Sequence, residues 1–269
     1  MKYRLSLILV LGVLMAFQAA HAQVFEELFE PGVMRIDLVF SGTAEETSYA
    51  LSGVKKEQYY SGSRTTLIDP FDYGDHKFVV KDKASGETIF SHSYCTLFRE
   101  WQTTEEAQTV RKAFPHVLRF PWPRAVVEVE IHDRNKAGDF ELSWSGTFDP
   151  ASRYADPGNP FHFESVDLEI NGSIEEKVDI LFLAEGYTAG EMDKFIEDAT
   201  RSAGYIFSEE PFMSMREQFN VRALKSVSQD SGTYIPGAGI LKNTAVNSSF
   251  YTFGIERYMT TMDYGSVCD

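Results

Sequence analysis

Cysteine and histidine are scarce in this chain, and their scarcity excludes whole classes of site. Only Cys95 and Cys268 occur in 269 residues, so no disulfide framework can staple the fold. The two fall in different halves and are expected as separate thiols, each buried as a small hydrophobe. The histidines stand at 21, 76, 92, 116, 132 and 162, and no two are four residues apart. No helix can therefore offer two imidazoles to one Zn²⁺ from a single face, and H-E-x-x-H is absent. G-x-G-x-x-G, G-x-x-x-x-G-K-[ST] and G-x-S-x-G are also missing, which argues against a dinucleotide site, a P-loop or a nucleophile elbow. Basic side chains number 25 against 40 acidic ones, a net charge of -15. Such a surface repels phosphate backbones, so nucleic acid is not an expected partner. With 19 glycines and 10 prolines the composition is ordinary, which excludes collagen-like and low-complexity chains.

What the chain does contain begins with a targeting signal. Lys2 and Arg4 form a basic start, and Leu5 to Phe17 an apolar run shorter than the ~20 residues a bilayer span needs. Ala20-His21-Ala22 then supplies the small–x–small pattern of a signal-peptidase site. Residues 1–22 are expected to be removed, giving an exported protein, periplasmic or extracellular, without a stable membrane anchor.

From about residue 33 to 148 the dominant period is two. Met34, Ile36, Leu38 and Phe40 alternate with Arg35 and Asp37; Val127, Val129 and Ile131 with Glu128, Glu130 and His132; Phe140, Leu142 and Trp144 with Glu141, Ser143 and Ser145. Each run is expected to turn one face to a core and the other to water. Asp69-Pro70, Tyr73-Gly74-Asp75, Ala84-Ser85-Gly86, Pro121-Trp122-Pro123 and the 136–139 segment read as turns, and a short helix is expected near Thr104 to Lys112. The pattern predicts an antiparallel β-sandwich over 23–150. Asp69, Asp72, Asp75 and His76 cluster at one turn; turn-forming aspartates explain the spacing better than a Ca²⁺ site does. His92 and Cys95 have a ligand-like spacing, but on a strand they face opposite sides.

Residues 151–160 carry prolines and little apolar content, and form the expected linker. Over 161–269 the pattern changes. Phe163 to Ile170 reads as a strand with Asn171-Gly172 as a hairpin turn, and Val178 to Ala184 as a strand covered on both faces. Thr188 and Glu191 have capping-box spacing before a helix whose Met192, Phe195, Ile196, Ala199, Ala203 and Ile206 form one apolar stripe. Phe219 to Leu224 is a further strand, which completes a βαβ unit. Loops after such strands often line binding clefts. Glu185, Gly186 and Tyr187, with Ser231 and Gly232 in the polar 228–239 segment, are the candidate substrate-binding residues; no catalytic or metal-ligating residue is singled out.

The stretches Val178 to Tyr187 (VDILFLAEGY), Phe219 to Leu224, Ser231-Gly232-Thr233, Asn247 to Phe250 and Phe253 to Tyr258 (FGIERY) resemble the M64 family of secreted bacterial metallopeptidases, the IgA-peptidase-like group. That resemblance implies an α+β two-domain architecture, an antiparallel β-sandwich followed by an incomplete α/β zincin-like domain. It implies a zinc endopeptidase acting on protein or peptide, with Zn²⁺ held by an H-E-x-x-H helix downstream of the FGIERY-like stretch. These 269 residues then read as the N-terminal part of such an enzyme, with no zinc expected in this portion and no activity of its own. The competing expectation is an exported, non-enzymatic sandwich that binds protein or glycan.

Overall fold

Alternation of apolar and polar residues becomes two facing sheets. The computed structural model describes residues 25–153, 155–156 and 163–269. The expected signal peptide and half of the expected linker lie outside them, as does His162. The chain divides into two compact units, residues up to 158 and residues from 159. Among the described residues no helix is long and apolar enough to cross a membrane.

The first unit contains β1 (Phe29–Gly42), β2 (Thr47–Glu57), β3 (His76–Asp82), β4 (Thr88–Tyr94), α1 (Leu97–Trp101), β5 (Lys112–Pro123), β6 (Val127–Arg134) and β7 (Phe140–Phe148). One sheet has the order β2-β1-β5, the other β4-β3-β6-β7, and every pairing is antiparallel. Met34, Ile36, Leu38 and Phe40 of β1 and Val127, Val129 and Ile131 of β6 are buried, as their period-two spacing requires. The sheets meet through aromatic rings: Phe120 of β5 lies 6.2 Å from both Phe78 of β3 and Phe90 of β4. Each such side chain contributes about 1.5–3 kcal/mol by leaving water.

Five sequence expectations fail here, the first four for a local reason. Arg35 should face solvent, yet it is 1% exposed. Its register partners are Lys55 on β2 and Arg119 on β5, so three cations lie side by side. Asp37 and Glu57 neutralise them: the Arg35 Nε donates to Asp37 at 2.6 Å, and Arg119 Nε to Glu57 at 2.8 Å. Leu142 should share a face with Trp144. A bulge interrupts the ladder, because Ile131 pairs with Trp144 but His132 with Leu142. The extra residue, Ser143, flips the phase and leaves Leu142 57% exposed at the surface. Pro121 and Pro123 are not a turn but the end of β5, opposite Val33 and Phe29. β5 is an edge strand, where the missing N–H is tolerated. The helix expected over Thr104 to Lys112 shrinks to a single 3₁₀ turn at Glu106–Gln108, and α1 forms earlier, capped by Thr96, whose hydroxyl accepts from the Arg99 amide at 3.0 Å. The two cysteines form no disulfide with each other, and neither is buried as expected: Cys95, just beyond β4, is exposed, and Cys268 is partly so.

The turn reading of Asp69 fits its bonds: one carboxylate oxygen accepts from the Phe71 amide at 2.9 Å and the other from the Ser93 amide at 2.8 Å. His76 is buried, its Nδ1 2.7 Å from Asp133, which also accepts from the Tyr49 hydroxyl. His116 as a whole is only partly buried, but its ring stacks on Tyr94 at 4.8 Å and meets Phe40 at 4.9 Å. Burial of that ring, and then the nearby His76, push His116 down to about 3.

The second unit contains β8 (Ser165–Glu169), β9 (Val178–Leu183), α2 (Met192–Ile206), β10 (Phe219–Leu224) and α3 (Tyr264–Cys268). Its sheet has the order β8-β10-β9, with β9 and β10 parallel and β8 antiparallel to β10. The expected βαβ unit is therefore β9-α2-β10. The apolar stripe of α2 faces the sheet: Phe195 and Ala199 pack with Ala184 and Ala223, flanked by Met192 and Ile196. Asn171-Gly172 does not make a hairpin, because β10 separates β8 from β9. Instead the fully buried Asn220 holds the turn: its carbonyl accepts from the Asn171 amide at 2.8 Å and its amide donates to Asp179 at 3.0 Å. Nor is β9 covered on both faces. It forms one edge of the sheet, with Val178 55% and Leu181 53% exposed.

Candidate functional site

Parallel strands deliver their following loops to the same end of a sheet. Leu183 and Leu224 are register partners at the ends of β9 and β10, so the 184–190 and 225–232 segments leave side by side. The first residues after β9 are tied to the second loop through their backbones. The Gly186 amide donates to the Ser228 hydroxyl at 2.8 Å, the Ser228 amide to the Tyr187 carbonyl at 2.8 Å, and the Gly232 amide to the Gly186 carbonyl at 2.8 Å. Gly186 has a φ of +77°, and a Cβ there would lie 2.4 Å from the Gly232 carbonyl oxygen. Only glycine fits on both counts.

Glu191 connects the capping box to the same seam. One of its oxygens accepts from the Thr188 amide at 2.9 Å, the other from the Ser231 hydroxyl at 2.8 Å. Tyr187 lies against Phe195, their ring centroids 5.3 Å apart, and its hydroxyl donates to Asp198 at 2.9 Å. Burial, followed by that bond, raises the Tyr187 hydroxyl above its ordinary value. The five candidate residues, Glu185, Gly186, Tyr187, Ser231 and Gly232, thus belong to one pair of adjoining loops.

Glu185 proves to be committed to the fold. Its carboxylate accepts from the Thr244 hydroxyl, the Val246 amide at 2.9 Å, and the Ser248 amide and hydroxyl at 2.9 and 2.6 Å. Partial burial alone would raise this carboxyl; the bonds from Ser248, Thr244 and Val246 outweigh it and hold it below the usual carboxylate range. Glu185 Oε1 accepts three of these bonds and Oε2 the fourth, and an ionised carboxylate so engaged acts as a clamp on the 244–248 loop. Ser228, 2% exposed, was not singled out from sequence, though it bridges all three loops by accepting from both Gly186 and Ala245. Its signal was only its place at the start of the 228–239 segment. Nothing local announced Thr244 and Ser248, which reach Glu185 across 59 and 63 residues of chain.

Two family models match the chain. Peptidase M64 N-terminus covers residues 24–145, and IgA Peptidase M64 covers residues 166–267. The chain belongs to the M64 peptidase family. No curated protein matches it. M64 membership implies a metallopeptidase-like protein, with peptidase activity and protein substrates at the level of the family. The seam between the 184–190 and 225–232 loops lies within the IgA Peptidase M64 match.

A metal needs donors that the described side chains of the second unit do not gather. The described part of the second unit has no histidine. Among the described residues no group of three or more His, Cys, Asp or Glu side chains is placed to hold an ion. Glu185 and Glu191, the carboxylates at the seam, are each engaged on both oxygens by hydroxyl or amide donors. The residues described here do not fit a zinc site.

Proposed function

We propose that these residues form part of an exported zinc-dependent endopeptidase of the IgA-peptidase type, to which the second unit contributes the zincin-like substrate cleft. Processing after Ala22 places it in the periplasm or outside the cell. The carrying observation is the joined pair of loops at the carboxyl ends of β9 and β10, within the segment matched by the peptidase model. Gly186, Tyr187, Ser231 and Gly232 line the cleft, and Glu185 fixes its far wall by clamping residues 244–248. Close backbone packing at the glycines fixes the two loops against each other, and loops at strand ends line substrate sites in other sheet enzymes. Zinc ligands and the general base are not assigned to any residue here, and the 269-residue chain is expected to be inactive by itself.

Two measurements test this reading. Casein-derived peptides should perturb the amide signals of Gly186, Tyr187, Ser231 and Gly232; undisturbed signals at saturating peptide would remove the cleft assignment. Separately, zinc-supplemented chain should not cleave casein or immunoglobulin A. Cleavage abolished by a chelator would show that a metal centre exists among residues judged unfit for one.

A further inference from the structure

We propose that the β-sandwich carries a second, independent site, a cavity that binds a short neutral oligosaccharide. The cavity has a volume of about 490 Å³ and is walled by Tyr60, Ser61, Phe71, Phe90, His92 and Arg119, among others. That volume falls inside the ~300–1,000 Å³ range of small-molecule sites. It lies between the connection from β2 to β3 and strand β4, wholly within the first unit.

The rings beside it are left in water. Phe71, on the cavity wall, is 66% exposed, and Tyr73 stacks on it at 5.5 Å with 17° between planes while 75% exposed. Exposed apolar side chains gathered into one patch mark contact surfaces, unlike singly scattered ones. The backbone beneath them is fixed. Asp69 accepts from the Phe71 and Ser93 amides, Lys77 pairs with Asp72 at 2.6 Å, and Arg134 donates to the Gly74 carbonyl at 2.8 Å. Rings held in place before a ligand arrives spare it the entropy of ordering them.

The chemistry of the wall selects the ligand. A sugar ring offers a face of C–H groups that packs on the electron-rich face of an aromatic ring. Its edge offers hydroxyls that both donate and accept. The Ser61 hydroxyl and the His92 imidazole take no part in the hydrogen bonds among the described residues, so they are open to such hydroxyls. An anionic ligand is disfavoured: Arg119, the guanidinium on the wall, is engaged by Glu57 at 2.8 Å, and the chain carries a net charge of -15. A purely apolar ligand would leave the serine and histidine groups dry and unpaired.

The full chain is titrated with maltotriose, triacetylchitotriose and N-acetyllactosamine, with sialyllactose as the charged counterpart. Amide signals of residues 60–63, 69–73 and 91–92 should shift with at least one neutral probe. Phe71→Ala should weaken that binding about tenfold or more, with the unfolding midpoint unchanged because the ring is exposed. His92→Ala should weaken it as well, again without loss of stability. No shift with any neutral probe at millimolar concentration, equal binding by the Phe71→Ala chain, or preference for sialyllactose would each overturn the proposal.

Discussion

The two units hold themselves together by different means. In the first, two sheets enclose a cluster of rings and aliphatic side chains, and the buried ionisable side chains Arg35, His76 and Glu130 come with their partners Asp37, Asp133 and Lys81. In the second, the sheet and α2 bury only a few side chains, Phe195, Ala199, Ala184 and Ala223 in one group and Phe207, Phe219 and Val221 in another. Beyond residue 225 order is maintained by hydrogen bonds, many between backbone groups and others from polar side chains to backbone: Ser228 to two amides, Glu185 to two more. Apolar burial is insensitive to the position of any one atom, whereas a hydrogen bond fails once it is misaligned. The first unit is therefore built to persist, and the loop end of the second to hold a defined shape.

The sharpest way to break that contrast is to empty the sandwich core. Phe40 is fully buried and touches the rings of Tyr49, His76, Phe98 and His116. Phe40→Ala should destabilise the first unit by about 3–5 kcal/mol. All three tryptophans, Trp101, Trp122 and Trp144, lie in that unit, so tryptophan fluorescence reads its unfolding alone. A loss below ~1 kcal/mol would mean that the ring cluster is not what supports the sandwich.

Acid should separate the units next. His116 is held at about 3 against an ordinary 6.5, so the unfolded chain takes up this proton first. Stability from the neutral ring is intact above about pH 6.5 and declines as pH falls toward 3, by an amount on the order of a few kcal/mol. The second unit has no histidine among its described residues, and Glu185 is lowered from an ordinary 4.5. Its contribution is present above 4.5 and is lost only below that. Tryptophan fluorescence should therefore change before amide exchange rises in residues 165–224. His116→Phe should move the first onset down into the carboxylate range, and a common onset for both units would contradict the contrast.

The smallest expected effect tests the clamp. Glu185→Ala leaves the Val246 and Ser248 amides without their acceptor, at about 1–3 kcal/mol. Hydrogen exchange at those two amides should accelerate while Ile180 and Val221 stay protected. Uniform acceleration through the sheet would show that Glu185 supports the whole unit and not one loop.

What could be read in advance was whatever repeats. The alternation of β1 and β6 and the stripe of α2 each place several residues on one face, so a single exception does not disturb the pattern. Single-residue events were not legible. One bulged residue, Ser143, reverses the phase of β7, and β10, arriving some fifty residues later, inserts between the two strands of an expected hairpin, with Asn220 holding the turn. The same division runs through the site. Tyr187 and Ser231 were reachable because a strand, a loop and a cap precede them in order. The task of Glu185 was not, since its partners arrive from more than fifty residues later.

The glycine seam has a consequence for how such loops diverge. With 2.4 Å between a hypothetical methyl at position 186 and the facing carbonyl, neither strand of the seam can drift without the other. Any lineage that reshapes the mouth of this sheet must alter both segments in concert, or confine its variation to the side chains on either flank.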